Sequence, residues 1–242
     1  MAIVLVTGAS GRLGRHLVPA LGRQGHEVRA AGRKGTVMLD VVTGAGMEEA
    51  LKGVDVVIHA ASSAFRNTVA TDVSGSAKLA ESARRAGVRH FIYPSIVGIE
   101  NVPTSYYRAK LDAERAIEAV GGPHTIVRFT QFHCFLAEMF RWHLLGFMVV
   151  PKGWTLQPVH EVAVADVLVF RVNAGPQGRV QDVGGPELLD VAELVRLFSR
   201  TPIRVPIPGR LSRAMSAGGL CCPDGPRVGV GFDAWLARGR AD

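Results

Sequence analysis

Six short apolar runs, Ile3–Val6, Glu27–Ala31, Val37–Leu39, Val54–His59, His90–Tyr93 and Thr125–Phe129, alternate with segments of helical period. The helical segments are Leu13–Gln24, Met47–Lys52, Thr68–Ala86 and Ser105–Val120. Most of the strand runs are apolar nearly throughout instead of alternating in and out, which is what burial on both faces requires. Strand–helix alternation of this kind predicts an α/β protein, a doubly wound parallel sheet wrapped by helices. Gly25, Gly53, Gly87 and Gly121 each follow the last periodic residue of a helix, where a left-handed C-cap favours glycine. Past Phe129 the pattern loosens. An amphipathic helix is expected over Gln131–Leu145, a further helix over Glu161–Val172 and a late strand over Val180–Val183. The remainder, rich in Pro and Gly around Pro206, Pro208, Gly209, Gly218 and Gly219, reads as a small irregular lobe. The expected division is a core of 1–131 plus about 161–185, with a substrate lobe from about 132–160 and 186–242.

The 242 residues are 48% apolar, enough to bury a sizeable core and to exclude a disordered chain. A net charge of +7 asks for an anionic partner. The Arg and Lys residues are scattered and not interleaved with aromatics on one stripe, so cofactor phosphates are expected and nucleic acid is not. Cys134, Cys221 and Cys222 show no metal-ligand spacing and no even-numbered disulfide framework, and read as reduced thiols. The apolar stretch Phe132–Val150 is interrupted by Glu138, Arg141 and His143, which makes it a poor membrane span. With a strand opening the chain where a leader would stand, a cytoplasmic protein is expected, monomeric or homodimeric, acting on a small molecule.

Between the first strand and the first helix lies Thr7-Gly8-Ala9-Ser10-Gly11-Arg12-Leu13-Gly14. Gly8 permits a tight turn, Gly11 lets backbone approach a diphosphate and Gly14 lets the helix sit close on the first strand. The free amides at the helix start, aided by its dipole, then face the phosphates. Ser10, Arg12 and Leu13 complete the candidate loop. At the end of the second strand, where an acid would hold the ribose hydroxyls of NAD, the chain has Gly32-Arg33-Lys34. Arg33, with Lys34 and Arg12 adding charge, suits a 2′-phosphate, so NADP(H) is expected ahead of NAD(H).

The glycine spacing G-x-x-G-x-x-G resembles the extended and atypical branches of the short-chain dehydrogenase/reductase family, particularly the NmrA-like group. The resemblance continues through Gly53-Val54-Asp55-Val56-Val57-Ile58-His59-Ala60-Ala61 and Gly87-Val88-Arg89-His90-Phe91-Ile92-Tyr93-Pro94-Ser95. It extends through Tyr106-Tyr107-Arg108-Ala109-Lys110 and Thr125-Ile126-Val127-Arg128. It implies that Asp40, with Val41 beside it, meets the adenine and that Ala60 and Ala61 pass beside the adenine ribose. It also implies that Lys110 holds the nicotinamide ribose.

Tyr106 and Lys110, four apart on a helix, share one face, and an ammonium beside a phenol lowers its pKa. In the family such a pair exchanges a proton with substrate while an upstream serine, here Ser95, polarises the substrate oxygen. Tyr107, three before Lys110, competes for the inward position, and Asp72 stands where extended members often carry asparagine. His133 is expected to be a partly buried structural residue in preference to a substrate contact. Glu161 is expected to serve the dipole of its helix. Met139, Phe140, Trp142, Leu144 and Phe147 read as core or lid packing. No metal site is expected. The function implied is an NADP(H)-dependent oxidoreductase acting on a small carbonyl or quinone-like substrate. The alternative is a non-catalytic NADP(H)-binding regulator of NmrA-like type. The C-terminal remainder is short for a sugar nucleotide, which disfavours an epimerase.

Overall fold

The computed structural model describes residues 1–33, 35–63, 68–140 and 146–239. In chain order the first elements are β1 (Ile3–Thr7), α1 (Gly14–Arg23), β2 (Glu27–Gly32), β3 (Val37–Met38), α2 (Met47–Leu51), β4 (Val56–His59) and α3 (Ser76–Arg85). Then follow β5 (His90–Ile96), α4 (Ser105–Val120), β6 (His124–Phe129), α5 (His133–Met139), β7 (Phe147–Pro151) and β8 (Thr155–Leu156). The last are α6 (Glu161–Ala174), β9 (Gly178–Arg179), β10 (Leu189–Asp190), α7 (Val191–Leu197), β11 (Thr201–Val205), α8 (Arg210–Ser216) and α9 (Phe232–Arg238). They form two compact units. The first comprises Met1–Ser95, Arg108–Val127 and Val164–Val180, the second Ile96–Tyr107, Arg128–Ala163 and Gln181–Asp242.

A seven-stranded sheet runs in the order β3-β2-β1-β4-β5-β6-β9, a Rossmann-type doubly wound arrangement. β1 pairs in parallel with both β2 and β4, with Thr7 level with Ala31 on one side and His59 on the other. Chain direction across the sheet reverses at this point, so the carboxyl ends of β1 and β4 form the topological switch where such sheets take ligands. The strands are apolar because both faces are covered. Leu5, Val57, Phe91 and Ile126 join Leu79 and Ile117 in one buried cluster. Val4, Val6, Val56, Ile58 and Val127, pointing the other way along the same strands, are no more than 5% exposed.

The expected helix over Thr68–Ala86 is present with a difference. Val69–Gly75 is wound as a π-type segment before α3 takes the ordinary pitch. Such widened turns recur at functional sites, and this one carries Asp72, fully buried. Ser76 returns its hydroxyl to the Asp72 carbonyl, so a side chain competes for an acceptor inside the helix. The four glycines expected to end helices have φ of +79°, +69°, +76° and +71°, the left-handed caps they were read as.

In the second unit, β7 and β11 pair in parallel and β8 and β10 antiparallel. The region expected to be irregular therefore contains three helices and paired strands, and that expectation is corrected. The signal was present in Asp190-Val191-Ala192-Glu193, which forms a capping box at the start of α7. The late strand is also displaced. β9 is Gly178–Arg179, and Val183 contributes one isolated bridge to Phe129. The helix expected over Gln131–Leu145 is observed as His133–Met139, and residues 141–145, with Trp142 and Leu144 of the expected packing cluster, lie outside the described residues. Of that cluster, Phe140 is buried with Leu136 and Phe232, whereas Met139 and Phe147 are exposed.

Two buried glutamines brace this unit. Gln131 donates to the Leu220 carbonyl at 2.7 Å and accepts from the Gln157 amide at 3.0 Å. Gln157 in turn donates to the Gly185 carbonyl and accepts from the Cys222 amide. Glu161, in the first turn of α6 as expected, also accepts from the Cys134 amide at 2.7 Å in the first turn of α5. No helix among the described residues is long and apolar enough to cross a membrane.

Several imidazoles are locked in as neutral groups. His90 shares a 2.8 Å hydrogen bond with the Thr125 hydroxyl, and burial pushes its pKa down to about 4. His133, fully buried against the rings of His160, Phe232 and Trp235, is also pushed down to about 4, chiefly by burial. On unfolding these rings regain ordinary basicity, so the unfolded chain binds more protons between pH about 4 and 6.5. Stability is expected to fall as pH drops through that window. The melting temperature followed by circular dichroism checks it, and His133→Phe should flatten part of the decline.

Candidate dinucleotide site

The loop after β1 is built from backbone with no room for side chains. Gly8 has φ +66°, and a Cβ there would lie 2.8 Å from the Ala61 nitrogen and Cα at the end of β4. At Gly14 a Cβ would lie 2.3 Å from the Gly8 carbonyl oxygen. Since real Cβ atoms do not approach backbone so closely, both positions require glycine. The Gly11 amide donates to the Gly8 carbonyl at 2.9 Å, closing the turn. Ser10, Gly11 and Arg12 are exposed along it, and Leu13 is buried at the head of α1. The ten-residue α1 thus presents its first amides just beyond the carboxyl end of β1.

Around this loop the first unit gathers most of the other residues singled out from sequence. Ala60 and Ala61 continue β4 and are half-buried. Arg33 is exposed in the turn after β2, and Lys34 lies outside the described residues. Asp40 accepts from the Val42 amide at 2.8 Å and, more weakly, from that of Thr43 at 3.4 Å, an Asx turn that fixes its carboxylate. Val41 is buried.

Lys110 sits at the carboxyl edge of the sheet, only 4% exposed. Its ammonium donates to the Tyr93 hydroxyl at 2.6 Å and to the Pro94 carbonyl at 3.4 Å. It lies 3.8 Å from the Asp72 carboxylate, and that carboxylate accepts from the Ser62 hydroxyl at 2.6 Å and the Ser63 amide at 3.0 Å. Burial lowers the lysine pKa to about 8, with Asp72 and Glu114 opposing the shift. A lysine held near 8 can give up or take a proton at working pH, whereas an exposed one cannot. Ser95 is on the same strand as Tyr93 and two residues on, so both side chains leave one face of β5. The Ser95 hydroxyl is buried and has no hydrogen-bond partner among the described residues. An orphaned hydroxyl costs about 1–3 kcal/mol, a deficit that a bound molecule would relieve.

The phenol beside Lys110 is therefore Tyr93, which sequence reasoning did not single out. The signal lay in the strand period, because Tyr93 and Ser95 are two apart on β5. Tyr106 and Tyr107 begin α4, where the Thr104 hydroxyl accepts the Tyr107 amide at 3.1 Å. Their rings are 5.8 Å apart. Tyr107 packs into the apolar cluster of the second unit, and burial raises its phenol to about 12. Tyr106 is half-buried.

A family model described as NAD(P)H-binding matches residues 8–134. Among curated relatives, a divinyl chlorophyllide a 8-vinyl-reductase of Oryza sativa subsp. indica is 30% identical over 84% of this chain and 61% of its own length. A ceramide reductase of Caulobacter vibrioides is 32% identical over 52% of this chain and 45% of its own. The chain thus spans roughly half of these two relatives. A solved NADPH-dependent quinone oxidoreductase of Escherichia coli, in complex with NADPH, shares the fold with a TM-score of 0.80. That likeness has 16% identity and covers 97% of this chain and 99% of that one. The glycine loop and the reversed strand order fit a dinucleotide, and the chain belongs to the NAD(P)H-binding family.

Proposed function

We propose that this chain is a cytoplasmic, NmrA-like reductase that takes NADPH and acts on a small carbonyl or quinone-like substrate. The observation that carries the reading is Lys110, a buried lysine bonded to Tyr93 and Pro94, the two residues before Ser95, whose hydroxyl lacks a partner among the described residues. The oxidoreductase character of the family and the reductases among its relatives support it. NADPH supplies a hydride when bound. Gly8, Ser10, Gly11, Arg12 and Leu13 would hold the diphosphate. Arg33 and Lys34 would meet the 2′-phosphate, Asp40 and Val41 the adenine, Ala60 and Ala61 its ribose, and Lys110 the nicotinamide ribose. NAD is disfavoured because β2 ends in Gly32-Arg33 with no acid to receive ribose hydroxyls. Ser95 would donate to the substrate oxygen and Tyr106 would exchange its proton, with the second unit choosing the substrate.

One observation favours the regulatory alternative. The phenol held against Lys110 is Tyr93, which is fully buried, and not one of the two tyrosines that begin α4. A chain that binds NADPH but leaves aldehydes and quinones unreduced would be a sensor of the cofactor.

Arg33→Ala is expected to weaken NADP(H) about tenfold or more, the worth of a charged phosphate contact, and to leave NAD(H) nearly unchanged. Fluorescence titration of NADPH against NADH reads it, and equal affinity of the wild type for both would sink the NADP preference.

Lys110 carries its charge below pH about 8 and loses it above. NADPH affinity, and turnover against a panel of quinones and aldehydes, should therefore decline as pH rises through 8. Lys110→Arg should keep its charge and move that decline beyond pH 9, while Lys110→Ala should abolish turnover. Binding without turnover at every pH would establish the regulatory reading instead.

A further inference from the structure

Three side chains, Thr7, His59 and Ser76, run in line from the end of β1 to the start of α3 and end on the Asp72 backbone carbonyl, and their hydrogen bonds have only one consistent direction. The Ser76 hydroxyl donates to the Asp72 carbonyl, so its oxygen is left to accept from the imidazole nitrogen Nε2 of His59, 3.0 Å away. His59 therefore carries its proton on Nε2, and Nδ1 is an acceptor. The Thr7 hydroxyl, 2.7 Å from Nδ1, must be the donor to it. Thr7 Oγ1 in turn accepts from the Ala61 amide at 3.4 Å. Every member is satisfied, and Thr7, His59, Asp72 and Ser76 are each at most 1% exposed.

The two ends of this chain matter. Thr7 immediately precedes Gly8, and its partner Ala61 is the residue against which Gly8 is pressed. Asp72 carries the carboxylate beside Lys110 and latches Ser62 and Ser63. We infer that His59 is a positioning residue: as the neutral Nε2–H tautomer it ties the phosphate-loop turn at Thr7-Gly8 to the π-type turn bearing the counter-ion of Lys110. The two halves of the dinucleotide site are thereby held in one register. The groups facing the ring are consistent with a permanently neutral imidazole. Tyr93 stacks at 5.8 Å, Phe91 lies tilted at 6.1 Å, and among the described residues its hydrogen-bond partners are the hydroxyls of Thr7 and Ser76. Burial, together with the positive charge of Lys110, drives the His59 pKa down to about 3. Protonation would turn Nδ1 into a second donor facing the Thr7 hydroxyl and reverse half of the chain.

The link to the cofactor rests on the reading under Proposed function, and two measurements separate the two claims. Long-range ¹H–¹⁵N NMR of the full chain should show His59 as the Nε2–H tautomer, without titration between pH 5 and 8. An Nδ1–H tautomer, or titration near 6.5, overturns the chain irrespective of any cofactor. In NADPH titrations Thr7→Val and Ser76→Ala should each weaken binding about five- to tenfold, the scale of one hydrogen bond. Thr7→Ser should restore it. Because both changes cut one chain, the double variant should be little weaker than either single one. Ser76→Ala that lowers the melting temperature but leaves NADPH affinity intact would reduce the network to a stabilising role and overturn the inference. Multiplicative losses in the double variant would do the same. A wild-type chain that fails to bind NADPH would overturn the functional reading and the cofactor half of this one, while the tautomer still decides the hydrogen-bond chain.

Discussion

Backbone packed on backbone at the carboxyl ends of β1 and β4 is the constraint from which the rest of the site follows. Gly8 lies against Ala61, and Gly14 lies against Gly8, with no space for a Cβ at either glycine. Contact this close draws the start of α1 in over the sheet edge at the switch in strand order, and there its first amides are free to meet an anion. A wider turn with side chains would still connect strand and helix. It would set the helix back, and the amides and dipole would lose their reach, since that effect is confined to the first turn.

A second constraint is the cost of taking Lys110 out of water. A buried ammonium is tolerated only with good partners, and here it has a phenol, a carbonyl and a carboxylate. The carboxylate must itself be satisfied, which accounts for Ser62 and Ser63, and it must be delivered at the right height, which accounts for the widened helical turn at Val69–Gly75. An α-helical turn in that place would rotate Asp72 away by a fraction of a turn. Irregular winding, costly by itself, is offset by the charge pairing it permits. The balance explains why the lysine ends near pKa 8 and not far lower.

What was legible in the sequence was what short-range rules govern. The six strand runs, the helices between them and the four capping glycines depend on apolar period and local backbone preference, and each is where the pattern put it. The glycine loop was legible because its function is itself a backbone property. The partner of Lys110 was not, because reading i and i+4 on one helix favoured Tyr106, while the hydrogen bond goes across to a neighbouring strand. Distance along the chain carries no record of that pairing, only the period-two placement of Tyr93 and Ser95. The second unit failed for a related reason. Its strands are two to five residues long and its pairings join β7 to β11 and β8 to β10, so no local repeat announces them. Asp190-Val191-Ala192-Glu193 and the amphipathic run that became α5 were local signatures there.

The division of labour between Tyr93 and Tyr106 bears on what kind of chemistry the fold permits. In a site where lysine and substrate-facing phenol are partners, one charge both binds and activates. Here the ammonium is held instead by Tyr93, a fully buried tyrosine, through a 2.6 Å hydrogen bond to its hydroxyl, with the ammonium 4.1 Å from its ring centre. The buried Tyr93–Lys110 pair is set by geometry that no single motif in the sequence encodes.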